Sequence, residues 1–197
     1  MSILLASGSP QRSAILAQLE LPFRVVVPEV EELAMGDPSQ LAVENARRKA
    51  DAVIAGGEVR STELVLACDT VVDVDGIPFG KPETAEDAFT MLALLRGRSH
   101  DVVGGLVLVE PASGERFERA VRTKVRFRDF PDALLERYLA GEEWRGRAGG
   151  YAIQGTGAAM VSGIGGCYQN VVGLPVAMLL MTLEDTEGWD ALARASA

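Results

Sequence analysis

The apolar run Ile3-Leu4-Leu5-Ala6 breaks into the small residues Ser7-Gly8-Ser9, and Ile15, Leu16 and Leu19 then return at helical spacing. This pattern predicts a strand, a tight loop and a helix with Ser9 as N-cap and Pro10 as its first residue. A β-branched strand from Phe23 to Val27 ends at Pro28, and the acidic segment Glu29-Val30-Glu31-Glu32 follows as a loop. Asp37-Pro38 opens a second helix that carries Leu41, Ala46, Ala50 and Val53 inward and closes at Gly56-Gly57; Asn45 and Lys49 lie one turn apart on a neighbouring stripe. Leu64 to Cys68 is nearly all apolar, as in a strand buried on both faces, with Asp69 expected at its end. Asp75-Gly76 then makes a hairpin turn, and the returning strand brings Gly80-Lys81-Pro82 back toward Asp69. Thr84, with Asp87 three residues on, caps a helix running through Phe89, Leu92 and Leu95 to Gly97. Val102 to Val109 and Arg116 to Phe127 form a long hairpin, and a helix from Asp132 to Ala140 stops at Gly141. Strands and helices that alternate over short turns give an α/β fold.

Composition narrows the function classes. With 197 residues, 48% of them hydrophobic, the chain can bury a substantial core as one domain or two tightly joined lobes. The longest apolar run, Val171 to Met181, is too short to span a membrane and is interrupted by Gly173 and Pro175, so a soluble cytoplasmic protein is expected. A net charge of −9 argues against nucleic-acid binding, which draws its affinity from many basic contacts to phosphates. The two cysteines, Cys68 and Cys167, read as buried reduced thiols, and the single histidine, His100, as a turn or sheet-edge residue; neither supports a multi-ligand metal centre or a histidine triad.

What remains is chemistry for a small anion. The first loop either caps a surface helix that binds nothing or sets serine hydroxyls, unpaired helix N–H groups and Arg12 around one point, where an anion is favoured. Asp69 is either a simple turn aspartate or a carboxylate held rigidly where a buried strand emerges at the sheet edge; the hairpin that returns Lys81, constrained between Gly80 and Pro82, favours the second, with the two sharing a site. The glycines of Ala148 to Gly155 imply close backbone approach, either for tight packing or for a ligand, and Gln154 there offers an amide suited to a base or ribose edge. Together, Ser7, Ser9, Arg12, Lys49 and Lys81 are donors for a polyphosphate, and Glu32 and Asp69 are carboxylates able to hold a hard divalent ion.

In this order the motifs resemble those of the Maf-type nucleoside triphosphate pyrophosphatases. The resemblance runs through Leu5-Ala6-Ser7-Gly8-Ser9-Pro10-Gln11-Arg12, Pro28 to Glu32, Ala46 to Ala50, Asp69-Thr70-Val71-Val72, Gly80-Lys81-Pro82, Arg96 to Val102, Ala148 to Gly155 and Tyr168 to Pro175. It implies one Maf-like domain over residues 1–197, with an elongated, two-lobed mixed sheet flanked by helices, a central cleft like that of the inosine triphosphatases, and a homodimer. It also implies hydrolysis of a nucleoside triphosphate to monophosphate and pyrophosphate with Mg²⁺ or Mn²⁺. On that reading Asp69 is the general base or a metal carboxylate, Glu32 its partner, and Arg12, Lys49 and Lys81 hold phosphates along the loop lined by Ser7 and Ser9. Thr70 and Gln154 match the subgroup that takes dTTP and UTP, but Gln11 stands where that subgroup usually has arginine, and Gly165-Gly166-Cys167 lacks its customary acidic residue. A nucleotide-binding regulator of cell division without turnover, and a purine clean-up enzyme of the inosine triphosphate type, are the alternative readings.

Overall fold

The computed structural model describes residues 1–185. Among the described residues seven strands form one mixed sheet: β1 (Ser2–Ala6), β2 (Phe23–Val26), β3 (Glu63–Val74), β4 (Ile77–Phe79), β5 (Ser99–Glu110), β6 (Glu115–Phe127) and β7 (Val161–Gly165). Their order is β2-β1-β3-β5-β6-β7, with β4 also paired to β3; β1 is parallel to β2 and β3, and the other pairings are antiparallel. The helices are α1 (Pro10–Gln18), α2 (Pro38–Ala55), α3 (Ala85–Leu95), α4 (Asp132–Ala140), α5 (Tyr168–Val172) and α6 (Val176–Asp185). The α/β expectation holds.

Local signals place most boundaries. Asp37 caps α2 by accepting from the Ser39 and Gln40 amides, and Thr84 and Asp87 form a reciprocal capping box at α3. Asp75 (φ 53°) and Gly76 (φ 86°) make the β3–β4 turn in the left-handed conformation that matches strand twist. Along β1 and β3 alternate side chains serve opposite faces. Leu4, Ala6, Val65 and Ala67 pack with Ala46, Ala50 and Val53 of α2. Ile3, Leu5, Leu64 and Leu66 pack with α1 and α6 through Ile15, Leu16, Leu179 and Leu183. Farther along the latter face, Val72 and Val74 join Leu92, Leu95, Phe127, Leu135, Tyr138 and Trp144 in a separate core under α3 and α4.

Three expectations, on Asp69, His100 and Cys167, are corrected. The strand predicted to stop before Asp69 runs on to Val74, so Asp69 lies mid-strand, opposite Gly105 of β5. Its carboxylate is tolerated there because both oxygens find partners, described below. His100 is an interior residue of β5, bonded through Nε2 to the Tyr151 hydroxyl (2.9 Å) and packed edge-on against the rings of Phe127 and Tyr151. Cys68 is buried but Cys167 is partly exposed, at the N-cap of α5. On α3, Ala88 and Leu92 face the core, and Phe89 is 46% exposed.

β5 carries a feature that its periodicity does not announce. A Cβ on Gly105 would stand 2.0 Å from the Ala42 carbonyl oxygen of α2, and one on Gly104 2.0 Å from Asn170 Oδ1 of α5. The paired glycines let elements from both faces approach the same stretch of sheet.

Candidate active site

The decisive geometry is a gap along the edge of β3. β1 pairs with it only from Glu63 to Leu66, and β4 only from Val72 to Val74, so residues 67–71 have β5 on one side and no strand on the other. A cavity of about 610 Å³ occupies this gap. Because the strand alternates, it collects Asp69 from the α2 face and Thr70 from the α1 face. Ser7, Ser9, Gln11, Arg12, Glu32, Lys49, Lys81 and Gln154 line the same cavity, so the structure brings every sequence-predicted site residue to one place.

Asp69 is held on two sides. Oδ1 accepts from Lys49 Nζ at 2.6 Å, and Oδ2 accepts from Asn45 Nδ2 at 3.2 Å. Lys49 is buried, and its ammonium also lies 2.6 Å from Glu32 Oε1, so it joins two carboxylates. Lys81 meets the other oxygen of Glu32 at 3.3 Å. Lys81 and Asp69 share the cavity as expected, but not as a direct pair: Lys49, from α2, takes the aspartate, and Lys81 is joined to it through Glu32. Partial burial opposes the charge of Glu32, but the hydrogen bond and charge of Lys49, followed by Lys81, outweigh it and hold the carboxyl below its usual range.

Asn45 is the residue that sequence reasoning left without a role. It is buried, its Oδ1 accepts from the Leu33 amide at 2.7 Å, and its Nδ2 donates to the Leu33 carbonyl at 3.0 Å as well as to Asp69. One amide thus fixes the loop that carries Glu32 and the carboxylate of Asp69. Its position one turn before Lys49 was the signal available in the sequence.

Arg12 emerges from the first turn of α1 and is almost wholly buried. Its guanidinium donates to Ser7 Oγ (2.8 Å), Thr70 Oγ1 (3.2 Å) and the Gly173 carbonyl (2.8 Å), all uncharged acceptors. Pro10 starts α1 as expected, but the Ser9 hydroxyl makes no cap bond and donates to Gln11 Oε1 at 3.1 Å. The Gln11 and Arg12 amides at the helix start have no intrahelical acceptor by geometry and remain donors for an anion. Gln154 is exposed within the cavity.

The family model for Maf-like protein matches residues 2–186. The chain belongs to the Maf family. Among curated relatives, the dTTP/UTP pyrophosphatase of Ruminiclostridium cellulolyticum is 38% identical over 190 residues, which is 93% of this chain and 95% of that protein. The dTTP/UTP pyrophosphatase of Pyrococcus furiosus is 39% identical over 188 residues, covering 92% of this Maf chain and 94% of its own. Of the solved structures, the Staphylococcus aureus Ham1 protein is a partial likeness only, at 18% identity and a TM-score of 0.45 over 66% of this chain and 73% of that one.

Proposed function

We propose that this Maf protein hydrolyses nucleoside triphosphates to the monophosphate and pyrophosphate, with dTTP and UTP as leading substrates, through attack of water on a phosphorus of the triphosphate chain. The observation that carries this reading is one cavity in which a fixed carboxylate, Asp69, lies among Arg12, Lys49 and Lys81. The names of the curated relatives support the same reaction.

The geometry supports the following roles. Arg12 and the amides at the start of α1 bind phosphate oxygens, and a guanidinium already fixed by three neutral acceptors loses little freedom in doing so. Lys81, more exposed, adds a mobile point charge at the other end of the Glu32 link. Asp69, restrained at both oxygens, accepts a hydrogen bond from the attacking water and orients it. Gln11 and Gln154 face the nucleoside.

A divalent ion suits this donor set. Among the described residues no group of three or more His, Cys, Asp or Glu is gathered to hold a metal by itself. Two carboxylates that share one ammonium, however, match the way Mg²⁺ or Mn²⁺ is held by one or two carboxylates with phosphate oxygens and water completing the shell. Glu32 and Asp69 would hold the ion, and when bound it neutralises charge on the phosphates.

No described helix is long and apolar enough to cross a membrane. We place the reaction in the cytoplasm, in a homodimer of two-lobed Maf-like domains, each spanning residues 1–197; light scattering of the purified protein checks the dimer. Incubation with a panel of triphosphates and Mg²⁺ tests the activity. One pyrophosphate per triphosphate consumed, lost with EDTA, is the expected result. Binding without turnover would identify a nucleotide-responsive regulator, and turnover confined to purine triphosphates such as ITP would identify the clean-up reaction.

A further inference from the structure

We propose that Arg147 is a further anion-binding residue of this cavity, one that grips the pyrophosphate portion of the substrate; the assignment rests on the triphosphate reading given above. Arg147 lines the cavity, and its Nε is buried without a hydrogen-bond partner. Three other described residues also carry a buried polar side-chain atom without a partner, but each is engaged elsewhere. Arg96 pairs with Asp132, His100 bonds Tyr151, and Asn170 donates to Val102, Val121 and Thr123. Among the described residues, no hydrogen bond or ion pair reaches the Arg147 guanidinium from any side chain. A buried guanidinium N–H without an acceptor is costly, and natural proteins retain such a group where a ligand supplies the acceptor.

The charges around it indicate which ligand. Of the cations lining the cavity, Lys49 is compensated by Asp69 and Glu32, and Lys81 by Glu32. Arg12 and Arg147 have no carboxylate partner among the described residues, and Glu143, the remaining acidic lining residue, accepts from the Thr156 amide. Two uncompensated guanidiniums on different elements suit an extended polyanion and not a neutral base. Arg12 touches Thr70, next to Asp69, and so lies at the end where water is oriented. Arg147 belongs to the segment that runs beside the Lys81 loop, because the Gly149 amide bonds the carbonyl of Gly80, the residue before Lys81, at 2.9 Å. The segment is built to stay there. Trp144, buried, anchors it through Nε1 to the Leu139 carbonyl, and Gly149 adopts φ 67° where a Cβ would meet Val72 at 2.8 Å.

Titration calorimetry with inorganic pyrophosphate and, separately, with dTMP tests the assignment without requiring turnover. Arg147→Gln, which keeps most of the aliphatic stem, should weaken pyrophosphate binding at least about tenfold and leave dTMP within about twofold, because only a charged donor to phosphate is lost. Arg147→Lys, which keeps the charge without the fork, should recover part of the loss. Unchanged pyrophosphate affinity in Arg147→Gln, or equal weakening of both ligands, overturns the inference. Wild-type protein that binds pyrophosphate through Arg147 yet hydrolyses no triphosphate would retain this site and discard only the reaction.

Discussion

Lys49 touches Asp69 and Glu32 at once, 2.6 Å from each, so the charge on buried Asp69 is balanced within a network that reaches the surface at Glu32. Asp69→Asn keeps the shape and the contact to Asn45 but removes the charge. Turnover should fall below about a tenth of wild type, a barrier increase of more than about 1.4 kcal/mol, with an unchanged circular dichroism spectrum; a variant faster than that would remove Asp69 from the centre of the chemistry. Arg12→Ala and Lys81→Ala should each weaken activity on triphosphates strongly, since each withdraws a charged phosphate donor. Lys124, 62% exposed on β6 and paired with Asp101, is the control, and Lys124→Ala should leave kcat/KM unaltered. Gln11 bears on selectivity. It receives the Ser9 hydroxyl through Oε1, so its NH₂ remains to meet a ligand, and an arginine there would replace an amide with a charged fork. Gln11→Arg should raise the ratio of kcat/KM for dTTP or UTP over the other triphosphates; a uniform change across the panel would move base selection to Thr70 and Gln154.

At the scale of elements, the site depends on how closely α2 lies on the sheet, because this helix brings both Asn45 and Lys49 to Asp69. Gly105 permits that approach: the backbone of Ala42 occupies the space where its Cβ would be. Gly105→Val forces helix and strand apart and should cost about 1–3 kcal/mol or more, as overpacking a core does. Urea unfolding would register the loss, and kcat should fall with it even at saturating substrate, since Lys49 and Asn45 move with the helix. A variant with full stability would mean that the helix can shift without penalty. The sequence showed the apolar stripe and caps of α2, but nothing in its periodicity revealed the distance from helix to sheet. Two small residues in a strand were the only trace.

For the molecule as a whole, His100 links the core under α3 and α4 to pH. Burial, only partly offset by Asp101, pushes its pKa down to about 4, and nearby Lys124 acts in the same direction. An unfolded histidine near 6.5 binds a proton that the folded one refuses, so its contribution is intact above pH 6.5 and is lost progressively as the pH falls toward 4. The full contribution is about 3 kcal/mol. Comparing urea midpoints at pH 7.5 and 5.0 should show a drop in the wild type that is smaller in His100→Gln; equal drops would assign the acid sensitivity to the carboxylates. The sequence by itself determined the order of elements from β1 through α4 and the residue types of the site, because caps, the Asp75-Gly76 turn and hydrophobic period are set by neighbours a few positions apart, and the Maf-like motifs lie within such stretches. Tertiary structure alone decided that β3 continues through Asp69 while β1 stops beside it, that Lys49 and not Lys81 takes its carboxylate, and that His100 lies inside. Each of these depends on which distant strand or helix comes to lie alongside, a matter of pairing and close packing between segments far apart in the chain that no local pattern encodes.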